Sequence, residues 1–514
     1  MWGDVALYRW QKECLKAWQD NGCRGILRVA TGAGKTRLAL AALQTLRERC
    51  PNLEVRVVVP TVALARQWLA ALTHGAPSED WRPGLFGGGR QDSDPRVMVY
   101  IVNSARAALP AHMRRAFALG HPALLICDEC HHYGSPQNRR IFDFVTPQVL
   151  SGGLYACLGL SATPFGGEDD GLLKRALGGE IYSYGIDDAV AEGVLSPFAV
   201  CEVSASFNAE EQSAYRLLTD KLGKALNGLL RAHPFLKSLD GSARQRAIVK
   251  LAKAAGMDPG DPASAYLLLT YRRKEISVLA EARIRCCVDL LARLDRDERA
   301  LIFCERIAQA EETVAAMRRN QGGRVGLYHS KMTPSARARN LEAFRTGEIS
   351  ALVSCRCLDE GIDVPEAGCG IVLSGSAVAR QRLQRLGRII RTAPGKEAAC
   401  LYYIYIRQSA DDAAYLPGLE QCESFSLRYC EGDGSFSNPP YEYVASEQLK
   451  RAEGFDPSRQ RELRACLNEG LTRADCLLPA GALERRIQSA ATVHGRNYWR
   501  CMKNIAARLR ESKD

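Results

Sequence analysis

Residues 26–46 read ILRVATGAGKTRLALAALQTL. An apolar run, a glycine-rich turn and a run of apolar residues at helical spacing spell strand, turn and helix. The glycines let backbone N–H groups curl inward, and the first turn of the helix adds the positive end of its dipole. That combination cradles phosphate. Thr31, Gly32 and Gly34 shape the cradle, Lys35 places a point charge on β- and γ-phosphates, and the Thr36 hydroxyl offers a ligand to Mg²⁺, so the expected ligand is ATP with Mg²⁺. The strand–turn–helix context favours this reading over a glycine turn without a ligand.

Outward from this turn the pattern repeats. VRVVVP (55–60), VMVYIV (97–102) and ALLICD (123–128) are short apolar runs between amphipathic stretches, which predicts a parallel sheet covered by helices. The pattern pauses after Val203. Residues 207–295 are charged and helical in spacing, and buried-strand runs then resume as ALIFC (300–304), ALVSC (351–355) and GIVLS (370–374). The fold class expected is α/β: a first parallel-sheet unit over residues 1–203, a helical insert over 204–296, a second unit over 297–407, and a mixed, mostly helical extension over 408–514.

With 514 residues, 46% hydrophobic and 25% charged, the chain is of ordinary globular composition. A net charge of +11 leans towards a polyanionic partner. The 19 cysteines show no paired spacing of a zinc site, and Cys127 and Cys130 enclose Asp128 and Glu129. The cysteine usage, the absence of a secretory pattern at the start and the lack of a long apolar run lead us to expect a cytoplasmic protein with no membrane contact.

Asp128-Glu129-Cys130-His131 follows the apolar run LLIC. An acidic pair at a strand end suits metal-assisted hydrolysis. Asp128 would hold the metal, and Glu129 would orient and deprotonate an attacking water. His131 is expected to couple this pair to the turn Ser161-Ala162-Thr163, assigning Ser161 and Thr163 a coupling role.

The order GAGKT, DECH, SATP resembles that of superfamily 2 helicases near the DEAD/DEAH-box group. The resemblance implies two RecA-like domains closing on ATP, with nucleic acid as partner. Leu7-Tyr8-Arg9-Trp10-Gln11 is similar to the family's adenine-reading element, with Gln11 on the base and Tyr8 where the family usually has Arg. Pro60-Thr61 with Gln67-Trp68, and Asn103-Ser104, resemble elements that touch the nucleic-acid backbone. In the second unit His329 and Ser330, with EAFRTGE (342–348), resemble a strand-gripping region. Asp359-Glu360-Gly361-Ile362-Asp363-Val364-Pro365 resembles motif V, which implies nucleotide contact by Gly361 and Asp363. Gln384-Arg385-Leu386-Gly387-Arg388-Ile389-Ile390-Arg391 resembles motif VI, which makes Arg388 and Arg391 candidate arginine fingers. The stretch 161–198 resembles the subgroup of the eukaryotic excision-repair and transcription-factor helicase and related bacterial and phage DNA translocases, with Gly166 where that subgroup often has Arg. The implied activity is ATP-dependent DNA translocation or unwinding, moving 3′→5′. A non-enzymatic alternative is an ATP-gated nucleic-acid-binding scaffold.

Two basic regions stay open at this level. RQR (244–246) and YRRKE (271–275) of the insert read either as a nucleic-acid clamp or as a solvated helical spacer. The C-terminal stretch with Tyr498 and Trp499 reads either as a basic and aromatic nucleic-acid contact or as an amphipathic helix docked on a lobe.

Overall fold

A computed structural model describes residues 6–511 except 77, 94, 166–169, 295–297, 322–323, 356–366, 375–378, 394–395, 397, 413–422 and 455. The motif V residues Gly361 and Asp363, and Gly166, lie outside the described residues.

The apolar runs become strands of two sheets. The first contains β1 (Arg24–Val29), β2 (Glu54–Val59), β3 (Pro83–Gly87), β4 (Arg90–Gln91), β5 (Val97–Ile101), β6 (Ala123–Asp128), β7 (Tyr155–Ser161) and β8 (Glu180–Tyr184), in the order β4-β3-β5-β2-β6-β7-β1-β8. Its strands are parallel except in the β3–β4 hairpin. The second contains β9 (Phe198–Ala205), β10 (Ala300–Cys304), β11 (Val325–Tyr328), β12 (Ala351–Cys355), β13 (Cys369–Val372), β14 (Ala399–Ile406), β15 (Glu423–Cys430) and β16 (Ser435–Ser437), in the order β11-β12-β10-β13-β14-β9-β15-β16. β6 and β10 are buried along their whole length, as expected of strands covered by helices on both faces.

The domain boundaries differ from those read off the sequence. β9, expected to close the first unit at 203, pairs with β14 from Phe198↔Ala399 to Ala205↔Ile406 and lies in the second sheet. Nor does the stretch 408–514 stand apart. β15 adds to β9, and Tyr441, Cys466, Met502 and Ile505 share one buried cluster with Ile302 and Ile404. Pairings across some 200 residues leave no trace in local spacing.

The insert grows from the second lobe after β9. Its helices Ala209–Ala232, Gly241–Ala254 and Pro262–Leu279 close a small core of their own around Leu229, Leu236, Ile248 and Ala263. YRRKE roots it in the lobe. Arg273 pairs with Asp411 at 2.8 Å, Lys274 with Glu305 at 2.7 Å, Glu275 with Arg306, and the Arg306 guanidinium lies 4.3 Å from the Tyr271 ring centre. These charges are therefore docking contacts, and Arg272 alone of the basic trio is exposed. In RQR, Arg244 donates to the carbonyls of Leu236 and Leu239, while Arg246 is exposed.

The C-terminal helix Val493–Glu511 is docked on the second lobe. It buries Tyr498, Cys501, Met502, Ile505 and Ala506, and the Tyr498 hydroxyl donates to Asp475 at 2.6 Å. Tyr498 is thus a core residue and offers no face for a base to stack on; Trp499 packs under the Arg486 guanidinium at 5.1 Å. Each large apolar side chain withdrawn from water contributes about 1.5–3 kcal/mol, so losing this helix should cost on the order of 5 kcal/mol. A chain ending at residue 492 is expected to melt well below the full chain by calorimetry. An unchanged melting temperature with a flattened salt dependence of DNA binding would instead make the helix a phosphate contact.

Among the described residues no helix is long and apolar enough to cross a membrane.

Candidate active site

The helix Lys35–Arg49 begins on Gly34 at φ 105°, two residues after Gly32 at φ 93°. Side chains disfavour both conformations. The turn is also crowded from the opposite lobe. A Cβ on Gly32 would lie 3.1 Å from Arg391 Cγ and 3.1 Å from the Gly387 carbonyl, and a Cβ on Gly387 would lie 2.5 Å from Thr31 Cβ. The glycine turn therefore packs directly on the C-terminal end of the helix Ala379–Ile389, through glycines on both sides. Leu195, Leu386, Ile389 and Ile390 continue that contact into one buried cluster with Ala30 and Ala33.

Between the lobes lies a cavity of about 410 Å³. The first lobe lines it with Thr31, Gly32, Gly34, Lys35, Thr36, Asp128 and Glu129; the second with Arg388, Arg391 and Thr392. Gly387→Ala is expected to wedge this contact open by about 1 Å and to lower kcat about a hundredfold, with the fold retained because the glycine sits at the lobe boundary. Steady-state phosphate release measures it, and a rate within about twofold of wild type would show that the lobes work without this contact.

The acidic pair sits at the mouth of β6. Glu129 is held at φ 48° and ψ 50°, a strained left-handed conformation for a residue with a side chain. This turns its carboxylate to within 3.5 Å of Lys35 Nζ and 3.4 Å of His131 Nδ1. Asp128 is buried; its Oδ2 accepts from the Trp68 indole at 2.9 Å and its Oδ1 from the Glu129 N–H at 3.0 Å. Burial, with the Glu129 charge adding, pushes its pKa up to about 6 against the opposing Lys35 charge and these hydrogen bonds. His131 Nδ1 lies 2.9 Å from Ser161 Oγ, which accepts from the Thr163 N–H at 3.1 Å. His131 Nδ1 therefore stands between the Glu129 carboxylate and Ser161, which in turn holds the Thr163 N–H.

Other expected residues fall elsewhere. Gln11 is fully buried; its Nε2 donates to the Gly34 carbonyl at 3.1 Å and its Oε1 accepts from the Tyr8 N–H at 3.0 Å. It braces the phosphate turn and does not line the cavity. Trp68, grouped by sequence with backbone-touching residues, is buried behind Asp128, whereas Gln67 lines the cavity. Pro60 follows β2 and Thr61 caps the helix Val62–His74. Asn103, exposed, and Ser104 open the helix Val102–Ala118. A turn of three glycines, Gly87–Gly89, joins them: a Cβ on Gly87 would meet Ser104 Oγ at 3.0 Å, and one on Gly88 would meet Val62 Cγ2 at 3.4 Å. This glycine run was visible in the sequence and is the clearest feature that reading passed over. In the second lobe His329 is buried, 3.5 Å from Glu311, and Ser330 is exposed after β11.

Residues 4–166 match the family model of the type III restriction enzyme res subunit, and residues 282–393 match the helicase conserved C-terminal domain. The chain is 30% identical over 413 residues to the DNA 3′-5′ translocase XPB2 of Sulfurisphaera tokodaii, across 79% of this chain and 83% of that protein. It belongs to the superfamily 2 helicases, in the XPB/Rad25 group. To the DNA 3′-5′ helicase XPB of Kineococcus radiotolerans it is 25% identical, across 80% of this chain and 62% of that relative's length. The DNA-bound type ISP restriction-modification enzyme LlaBIII shares the fold, at a TM-score of 0.52 and 13% identity, across 99% of this chain and 40% of that one. The two sheets are thus the paired RecA-like domains of an ATP-hydrolysing superfamily 2 helicase, and the cavity between them is where the motifs of both domains meet.

Proposed function

We propose that this helicase is a DNA translocase that moves 3′→5′ by closing its two lobes on ATP. The observation that carries the proposal is the single cavity lined by Lys35 and Glu129 from one lobe and Arg388 and Arg391 from the other. XPB2 and XPB, the named relatives, supply the polymer and the direction.

The residues fit a nucleoside triphosphate. Inward N–H groups at the start of the Lys35–Arg49 helix and the Lys35 ammonium face the phosphates, and Thr31 Oγ1 is buried in the cavity wall with no hydrogen-bond partner among the described residues. The Thr36 hydroxyl and the Asp128 carboxylate form a donor set suited to Mg²⁺, which when bound neutralises charge on the β- and γ-phosphates. Trp68 fixes the rotation of Asp128. Glu129 takes the proton of the attacking water, with Lys35 and His131 holding its carboxylate in place. Arg388 and Arg391 stabilise the charge that develops on the γ-phosphate. Because they belong to the second lobe, turnover requires closure, and phosphate release removes the bridge between the lobes.

Thr61, Asn103, Ser104 and the Gly87–Gly89 turn lie at the C-terminal ends of the neighbouring strands β2, β5 and β3. In this reading they hold strand phosphates, as His329 and Ser330 do on the second lobe. Phosphate contact carries no sequence information, so binding should be sequence-blind. Phosphate release with and without single-stranded DNA, followed by displacement of a bound oligonucleotide from tracks of either polarity, tests the proposal. Stimulated turnover with 3′→5′ displacement supports it; stimulation by RNA alone or 5′→3′ movement overturns it. DNA binding without stimulated turnover would favour the ATP-gated scaffold.

A further inference from the structure

The helix Ala379–Ile389 ends where its candidate finger begins, and the last carbonyls of a helix have no partner within it. Here the last of them, that of Ile389, meets one side chain together with two carbonyls from outside the helix. Lys396 Nζ donates to the carbonyl of Ile389, to that of Arg391 at 2.9 Å and to that of Ala367, before β13, at 2.9 Å. An ammonium has three N–H donors, and three backbone acceptors take them. From the other side the segment joining the lobes holds the same residues. The Ser196 N–H donates to the Ile390 carbonyl at 2.7 Å, its hydroxyl donates to the Arg391 carbonyl at 3.3 Å, and Leu195 bridges to Arg391 in antiparallel fashion. A Cβ on Gly32 would lie 3.3 Å from Leu195 Cδ2, so this segment also touches the phosphate turn.

We infer that Lys396 is a positioning residue for ATP hydrolysis: its ammonium locks the backbone of residues 389–391 against the inter-lobe segment and so aims Arg391 into the cavity. The inference rests on the reading of Arg391 as an arginine finger. The ammonium is held at a cost, since burial, with the neighbouring Arg391 charge adding to it, brings its pKa down to about 8. A capping function alone would be met by water at an exposed helix end. A half-buried cation with every donor engaged fixes a backbone in one place, and the backbone fixed here carries the group expected to meet the γ-phosphate.

A double-mutant cycle in the full chain tests this, with DNA-stimulated phosphate release giving kcat and KM, and a non-hydrolysable ATP analogue giving affinity. Lys396→Met keeps the length and removes the donors. It is expected to lower kcat about tenfold to a hundredfold, with KM and analogue affinity within about threefold. In an Arg391→Ala background the same change should cost less than about twofold, because Lys396 acts through Arg391. Additive losses would overturn the inference, as would an unchanged kcat for Lys396→Met. If Arg391→Ala itself leaves kcat unchanged, the finger reading fails first, and the inference with it. Should Lys396→Met prove insoluble, Lys396→Arg takes its place. It retains the charge, but a planar guanidinium cannot meet three carbonyls at one point, so kcat should still fall; wild-type kcat in that variant would overturn the inference.

Discussion

Glu129→Gln is expected to bind ATP and DNA together and to stall before hydrolysis, with turnover lowered by about 10²–10⁴. The carboxylate stands at the end of β6 in a backbone conformation that a side chain adopts only under constraint, 3.5 Å from Lys35 and 3.4 Å from His131. Glutamine keeps the shape and the strained turn, so the protein should fold and close normally. What it loses is the base for the attacking water. The hydrogen bonds of Asp128 to Trp68 and to the backbone do not involve the Glu129 side chain, so the Asp128 carboxylate stays in place. Single-turnover hydrolysis against equilibrium binding of ATP separates the two effects, and turnover within about threefold of wild type would remove Glu129 from the role of base.

The parts of this enzyme that the sequence revealed are those whose chemistry is local. A phosphate turn is written locally, as glycines, lysine and threonine between a strand and a helix, and residues 31–34 turn between β1 and the helix that Lys35 and Thr36 open. An acidic pair must follow a strand to reach the same cavity, and Asp128 and Glu129 do. Motif VI was legible for the same reason, although its glycine matters for a contact that only the folded chain reveals, against Thr31 of the other lobe. What stayed hidden depends on partners far away in the chain. An apolar run such as Phe198–Ala205 states that it is a strand but not which sheet it joins, and its neighbours are β14 and β15. YRRKE looked like a basic patch because its counter-charges, Glu305, Arg306 and Asp411, lie 31 to 138 residues on. Trp68 gave no signal of its role at all: an indole behind a carboxylate is a matter of geometry. Tyr498 and Trp499 read as stacking platform or, somewhat more readily, as part of a docked helix, and the deciding fact is the burial of Tyr498 with its hydroxyl on Asp475.

Arg391→Ala is expected to lower kcat by about 10³ or more, in the range that arginine fingers contribute to phosphoryl transfer, with a much smaller effect on ATP affinity. The residue lies on the second lobe, yet its Cγ approaches Gly32 of the phosphate turn, and burial holds its guanidinium below the usual arginine range. A cation kept under such conditions is favoured most when negative charge develops beside it, which happens at the transition state and not in the bound ground state. The substitution should spare the fold, because the bonds that tie this segment to Lys396 and Ser196 use the Arg391 backbone carbonyl, which alanine retains. Melting temperature should therefore stay close to that of the wild type while kcat collapses. The split between kcat and affinity is the discriminating readout: a loss confined to ATP affinity would make Arg391 a ground-state phosphate ligand, and an unchanged kcat would mean that the cavity does not close across the two lobes during turnover.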